Sequence, residues 1–315
     1  MDNLIFSLNA TVPVFMMMVL GMLFRKLGWM DTDFANKLNK FVFLVPLPVL
    51  VFKDLAQVDI ADAWNGKFVL FCFVVTLLSI IIAALLSIFL KNRGTRGEFV
   101  QAAYRSSAAL LGMALIENIY GSSTMGPLMI IGSVPLYNIF AVIILTVTSK
   151  DNNEGISGKL LIKILKGVIT NPIIIGIVIG LAWSAIGIPL EGIVYKTVNN
   201  IAVTATPLGL MAMGANFEFD KAIGKIWPSI GASLMKLVGF VAIFIPLAIK
   251  LGFRGEAIIA ILIMLGSATT VSCYVMAKNM GHEGVLTSSV VMITTLLSAF
   301  TLTMWLFILK TIGVI

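Results

Sequence analysis

The chain has 315 residues, 59% of them hydrophobic and 12% charged, with a mean hydropathy of +1.04. A soluble domain carries roughly 25% charged residues, so a surface this apolar must meet lipid over much of its area. The net charge of +7 comes from lysines and arginines scattered over short loops without interleaved aromatics, which excludes a nucleic-acid interface.

Crossing about 30 Å of hydrocarbon takes roughly 20 apolar residues of helix. Ten segments meet that need, some with polar interruptions. The first, Leu4–Phe24, has no basic stretch before it and runs into Arg25-Lys26 rather than a small-residue cleavage site. It is therefore read as a span and not as a leader. Phe34–Phe52, Phe68–Leu90, Phe99–Tyr120 and Met125–Thr148 follow. A polar, basic stretch from Lys150 to Gly167 reads as the longest loop. Then come Val168–Ile186, Gly192–Met213, Trp227–Ile249, Ala257–Ala277 and Val285–Leu309. Cys72 and Cys273 fall inside apolar runs, away from ligand spacing. The single histidine, His282, falls in a loop, which removes a histidine proton relay within the spans.

Lysine and arginine mark the cytoplasmic side of a membrane protein. With the N-terminus outside, the inner loops collect Arg25, Lys26, Lys37 and Lys40, then Lys91, Arg93 and Arg96, then Lys150, Lys159, Lys163 and Lys166, with Lys221, Lys225 and Lys278. The outer side keeps fewer: Lys53, Lys67, Lys196, Lys250, Arg254 and Lys310. This asymmetry predicts an inner-membrane, multi-pass protein with both termini outside.

The two halves resemble one another at an offset of about 160 residues. Pro13 answers Pro172; Asn39 and Pro46-Leu47 answer Asn200 and Pro207-Leu208; Ser106 answers Ser267. Five spans per half is an odd number, so the second half must enter the membrane upside down. The predicted fold is all-α: ten transmembrane helices as two inverted five-helix repeats, residues 1–150 and 168–315, joined by a cytoplasmic linker at 151–167. Inverted repeats of this kind build many alternating-access carriers.

The fourth and ninth spans differ from the others. One reads Tyr104-Arg105-Ser106-Ser107-Ala108 and continues to Gly112; the other reads Gly266-Ser267-Ala268-Thr269-Thr270 and continues to Ser272. Small residues and hydroxyls at mid-membrane are either packing seams between helices or places where the helix unwinds around a wet cavity. Unwound ends would offer N–H donors and a positive dipole end to an anion. Because the two stretches match across the halves, Ser106, Ser107, Ala108, Gly112, Ala268, Thr269, Thr270 and Ser272 are candidate binding residues. Asn138, a mid-span amide after Pro135, is either a further binding residue or an interhelical hydrogen-bonding group.

Arg105 lies ~9 Å and Lys236 ~14 Å of helix inside the cytoplasmic ends of their spans. Such cations either snorkel to the interface or balance a substrate carboxylate or replace a coupling cation. No Asp or Glu occupies the centre of a span, so a carboxylate proton relay has no obvious carrier.

These same stretches carry a family resemblance. Tyr104-Arg105-Ser106-Ser107 with Gly112, and Ala268-Thr269-Thr270 running to Tyr274-Val275-Met276-Ala277, resemble signatures of the auxin efflux carrier family. Asn171-Pro172, Ala205-Thr206-Pro207-Leu208, Met213-Gly214-Ala215 and Thr294-Thr295-Leu296-Leu297-Ser298 extend the resemblance over nearly the whole chain. The sequence departs from that pattern at Ser107, where the family has asparagine, and at Ala114 and Ala268, where it has proline. The family includes plant auxin exporters and bacterial malate-permease-like carriers. The resemblance implies the fold of sodium/proton antiporters and bile-acid symporters, with two crossing broken helices. It also implies a scaffold from spans 1, 2, 6 and 7 and a transport domain from spans 3–5 and 8–10.

The function expected is a secondary transporter for a small organic anion, a mono- or dicarboxylate, with proton or sodium as candidate coupling ion and a homodimer as candidate assembly. A channel is the alternative, although the spans show isolated polar sites rather than a continuous polar stripe. No HExxH, GxSxG or paired-carboxylate arrangement marks an enzyme, and no cofactor is expected.

Overall fold

The computed structural model describes residues 2–57, 64–108, 113–120, 124–149 and 158–315, and among these it is helical without a strand. A single long helix, α1 (Asp2–Lys26), occupies the first expected span. The second, expected as continuous, is two helices, α2 (Thr32–Leu44) and α3 (Pro46–Ala56). Proline lacks an N–H and steers the residue before it out of helical geometry. Val45 accordingly sits at φ −125°, ψ −71°, and the helix restarts on Pro46. Helix α4 (Gly66–Ser87) is unbroken and begins on Asn65, whose side chain accepts the Phe68 amide at 3.0 Å.

The segment expected as the fourth span is interrupted, into α5 (Arg93–Tyr104) and α6 (Met113–Tyr120), the unwound of the two readings left open by its small and hydroxyl residues. Helix α7 (Met125–Thr148) follows, with Pro135 inside it. Residues from 158 onward, expected as loop, instead form α8 (Gly158–Ile169), bent by 54° against α9 (Pro172–Ile186). Asn171 makes that bend: its side chain accepts the Ile173 amide at 2.9 Å, and Pro172 takes the first helical position, where no N–H is needed. The seventh span is also split, into α10 (Gly192–Ala202) and α11 (Ala205–Ala215). After the short α12 (Phe219–Gly224), the eighth runs as α13 (Ile226–Leu234), a π-helical turn over Met235–Gly239, and α14 (Phe240–Lys250). The ninth breaks between α15 (Glu256–Gly266) and α16 (Ser272–Asn279), and α17 (Val285–Thr311) closes the chain.

Among the described residues, α4, α7, the α13–α14 run and α17 are each long and apolar enough to cross a membrane, and the bent α8–α9 pair would make a fifth span. Helix α4 shows why lipid is the solvent. Phe68, Cys72, Val75, Ser79 and Ala83 face inward, while Leu70, Val74, Leu78, Ile81 and Leu85 are exposed and just as apolar. A helix that is hydrophobic all round has no face for water.

One apolar core joins α4, α5 and α7 to α14, α15 and α17. Another joins α1, α2, α3, α9 and α11 to α7 and α16. Within the second, α1 lies against α11 and α3 against α9 at backbone distance. A Cβ added at Gly214 would stand 2.1 Å from the Met18 carbonyl oxygen, and one at Gly176 would stand 2.5 Å from that of Pro48. Only hydrogen fits there, so these glycines set the approach of the helices.

Candidate functional site

The two interrupted spans meet at their breaks. Arg105 leaves α5 with extended geometry (φ −74°, ψ 133°), and Ser267 leaves α15 likewise (φ −75°, ψ 165°). Serine and threonine offer the backbone alternative partners to the helix ladder, and small residues let the opposing chain come close. The Ser107 N–H donates to the Ala268 carbonyl at 3.0 Å. The Thr269 hydroxyl donates to the Ala102 carbonyl at 2.8 Å, and its N–H donates to the Thr294 hydroxyl at 3.0 Å. The Gln101 side-chain amide donates to the Cys273 carbonyl at 3.1 Å. Buried backbone groups freed at the breaks are thus paired by the opposite break or by α17.

Lys236 is fully buried beneath this junction. Its ammonium donates to the Tyr104 and Met264 carbonyls, each at 3.3 Å, and to the Ser106 hydroxyl, which itself donates to the Met264 carbonyl. The carbonyl ends of α5 and α15 both lie here, where helix dipoles favour a cation. Local sequence alone would not aim Lys236 this way. The π turn widens the helix by one residue, with the Phe240 N–H bonded to the Met235 carbonyl, and Trp305 Nε1 donates to the Leu237 carbonyl at 3.1 Å.

Arg105, 2% exposed, spreads its guanidinium on the other side of the break. It donates to Asn138 Oδ1 at 2.9 Å, to the Ser272 hydroxyl at 2.8 Å and to Met276 Sδ at 2.8 Å. Its Nε is buried without a partner. Neither Arg105 nor Lys236 snorkels: both are held inside the protein by named acceptors.

Two cavities flank the junction, of about 70 Å³ and about 520 Å³. Both are bordered by Leu50, Ser107, Thr206, Thr270 and Val271. The smaller also reaches Arg105, Ala108, Asn138 and Ser272; the larger reaches Ala268 and Thr269. Their far wall brings in residues that the sequence did not single out. Lys53 lines the larger cavity and Asp54 the smaller, with 3.9 Å between ammonium and carboxylate, and Lys53 also donates to Asn199 Oδ1 at 3.3 Å. Adjacent residues near the C-terminal end of α3 gave no sequence signal of facing a cavity, since that depends on how α3 lies against the breaks.

Of the candidate residues, the described ones all gather at this junction, and Gly112 lies outside the described residues. They do not contribute alike. The hydroxyls of Ser106 and Thr269 are committed to carbonyls. Ser107 is half-buried and borders both cavities, and the Thr270 hydroxyl, 3.2 Å from that of Ser272, does so too. No group of three or more His, Cys, Asp or Glu among the described residues is placed to hold a metal ion.

A family model described as a membrane transport protein matches residues 6–306. An uncharacterized transporter of Methanothermobacter thermautotrophicus is 22% identical over 307 residues, covering 95% of this chain and 97% of that protein.

Proposed function

Because the chain belongs to this membrane transport protein family, that of auxin efflux carriers and malate-permease-like proteins, we propose that it is a secondary active transporter moving a small organic anion, a mono- or dicarboxylate, across the inner membrane by alternating access. The observation that carries the reading is Arg105: a buried guanidinium that borders a cavity at the meeting point of two broken helices. A carboxylate stripped of water needs several donors at once. Arg105 supplies charge, and Ser107, Thr270, Ser272 and Asn138 supply further polar groups around the same space. Lys236, committed to carbonyls, holds the junction rather than the substrate.

In this reading the ten spans are two inverted repeats, with both termini outside. Supporting the repeat, breaks recur at the second and seventh spans and at the fourth and ninth, and α1 packs on α11 as α9 packs on α3. Spans 3–5 and 8–10 form the moving domain, and spans 1, 2, 6 and 7 the scaffold; the apolar core that joins α4, α5 and α7 to α14, α15 and α17 supports that division, as does a larger cavity bordered by residues of both groups. Movement of one group past the other would open the junction to each side in turn.

The test is flux through proteoliposomes holding purified protein, using radiolabelled malate, succinate, benzoate and indole-3-acetate against protein-free controls. A carrier gives saturable uptake and counterflow of at least one of these acids. Non-saturating flux without counterflow would make the protein a channel, and no protein-dependent flux of any of them would sink the organic-anion reading.

A further inference from the structure

Asp54 is a carboxylate in a place where a carrier of anions gains nothing from negative charge alone. It borders the same small cavity as Arg105, Asn138 and Ser272, yet it comes from α3 and not from the breaks or α7. Its side chain is 18% exposed, and its ion-pair partner, Lys53, stands 3.9 Å away while also donating to Asn199. The other ionisable groups around it are few. Arg105 and Tyr137 line the cavity with it, from the break after α5 and from α7. Helices α9 and α11 bring no ionisable side chain; α10 brings Tyr195 and the exposed Lys196; Asp33, Lys37 and Lys40 of α2 are exposed. Neither cavity is bordered by another acidic residue among those described.

We propose that Asp54 is the proton-binding residue that couples anion transport to protons, so that the anion beside Arg105 and the proton on Asp54 are carried together. This rests on the anion-carrier reading above and deepens it. The cations Arg105 and Lys53 are present whichever form Asp54 takes, but repulsion between substrate and Asp54 exists only while Asp54 is ionised. Two like charges about 6 Å apart at an effective dielectric of about 20 disfavour joint occupancy on the order of a hundredfold. Protonation removes that repulsion, and by linkage a bound anion raises the affinity for the proton by the same factor. No bond other than the carboxyl O–H forms or breaks. The proton is taken from one aqueous phase with the anion and given to the other. Because anion and proton are loaded together, an inward proton gradient would drive uptake of the anion.

The experiment uses full-length protein in proteoliposomes, radiolabelled malate, and a membrane potential held at zero with valinomycin and equal potassium. At equal pH, counterflow reports the carrier alone; with the lumen alkaline, net accumulation reports coupling. Wild type should accumulate malate by about tenfold per pH unit for each proton carried. Asp54→Asn and the smaller neutral Asp54→Ser should make counterflow independent of pH and fail to accumulate; Asp54→Glu should accumulate. The variants carry the same titration of malate itself, so the difference isolates Asp54. Accumulation by either neutral variant at the wild-type level overturns the proposal, as does a wild type that exchanges malate but ignores the gradient. Loss of all exchange in both neutral variants also overturns it, because the carboxylate would then serve more than the proton. Absence of wild-type counterflow with malate, succinate, benzoate and indole-3-acetate alike instead removes the anion-carrier reading on which the proposal stands, and where another of these acids exchanges it replaces malate in the same assay.

Discussion

Glu98 and Glu256 exchange the same service across the two halves of the chain. Glu98, in α5, accepts the backbone amides of Gly284, Leu286 and Thr287 at 3.0, 3.0 and 3.1 Å, capping the start of α17. Glu256, opening α15, accepts the amides of Thr124 and Met125 at 2.7 and 2.6 Å, capping the start of α7. Helices α5 and α15 therefore each carry, ahead of the break that follows them, a carboxylate that satisfies orphan donors of a helix in the other half.

Replacing these carboxylates should weaken the helix cluster unequally. Glu98→Gln puts an N–H₂ against donors inside the protein and should cost about 1.5–3 kcal/mol, the range for hydrogen bonds to charged groups. Glu256→Gln should cost less, because Thr124 is exposed and water can replace the lost acceptor. Thermal unfolding of detergent-purified protein, followed by size-exclusion, gives the order; equal loss in both would contradict the burial argument.

At the junction, the size of the side chain should matter more than its hydroxyl. Ser107→Ala or Thr270→Ala removes at most one hydrogen bond to substrate, about 0.5–1.5 kcal/mol, or up to about tenfold in half-saturation. Leucine at either position fills space bordered by both cavities and opposes the approach of the other break, so transport should fall further. Harmless leucines at both positions would move the binding site elsewhere.

Lys236→Met should both destabilise the protein and impair transport. It leaves the Tyr104 carbonyl without the ammonium, a desolvation penalty of about 1–3 kcal/mol, and weakens what holds Met264. Lys159→Met, at an exposed position of α8, serves as the control and should be near neutral. Unchanged melting and uptake in Lys236→Met would show the ammonium to be dispensable.

Arg105→Lys keeps the charge and discards the fork. A lysine ammonium cannot reach Asn138, Ser272 and Met276 as a planar guanidinium does. Counterflow should drop by about tenfold or more, one charge-assisted hydrogen bond at about 1.5–3 kcal/mol. Wild-type half-saturation in this variant would argue against direct contact between Arg105 and substrate.

Orientation is open to chemistry because Cys72 and Cys273 are both buried, leaving a quiet background. A membrane-impermeant maleimide added to intact cells should label Lys250→Cys and should label Lys91→Cys only after permeabilisation. The reverse pattern would place the termini in the cytoplasm.

Hydropathy is a local property of the chain, and what depends on it was legible in the residues. The runs around Phe68–Leu90 and Met125–Thr148 read as helices and are α4 and α7. The interruptions at Arg105–Ser107 and Ser267–Thr270 could be located because small and hydroxyl residues compete with the helix ladder wherever they cluster. Proline was the signal that went unused: Pro46 and Pro172 each restart a helix, so spans read as continuous are split or bent. The basic stretch after Gly158 read as loop because its lysines mask the apolar Leu161, Ile162 and Leu165 of α8.

Contacts between distant residues were decided by packing alone. Arg105 and Met276 are 171 positions apart, Lys236 and Tyr104 are 132, and no local pattern fixes which face of α3 or of the π turn meets the breaks. The sequence by itself determined a lipid-embedded helical protein with two stretches of small and hydroxyl residues and two intramembrane cations. Only the tertiary structure decided that those cations are buried on either side of one junction, that Glu98 and Glu256 cap helices of the opposite half, and that Asp54 faces Arg105's cavity. The physical reason is that burial in lipid rewards apolar composition residue by residue, whereas polar groups inside must find partners, and those partners come from whichever segments the fold brings within hydrogen-bonding reach.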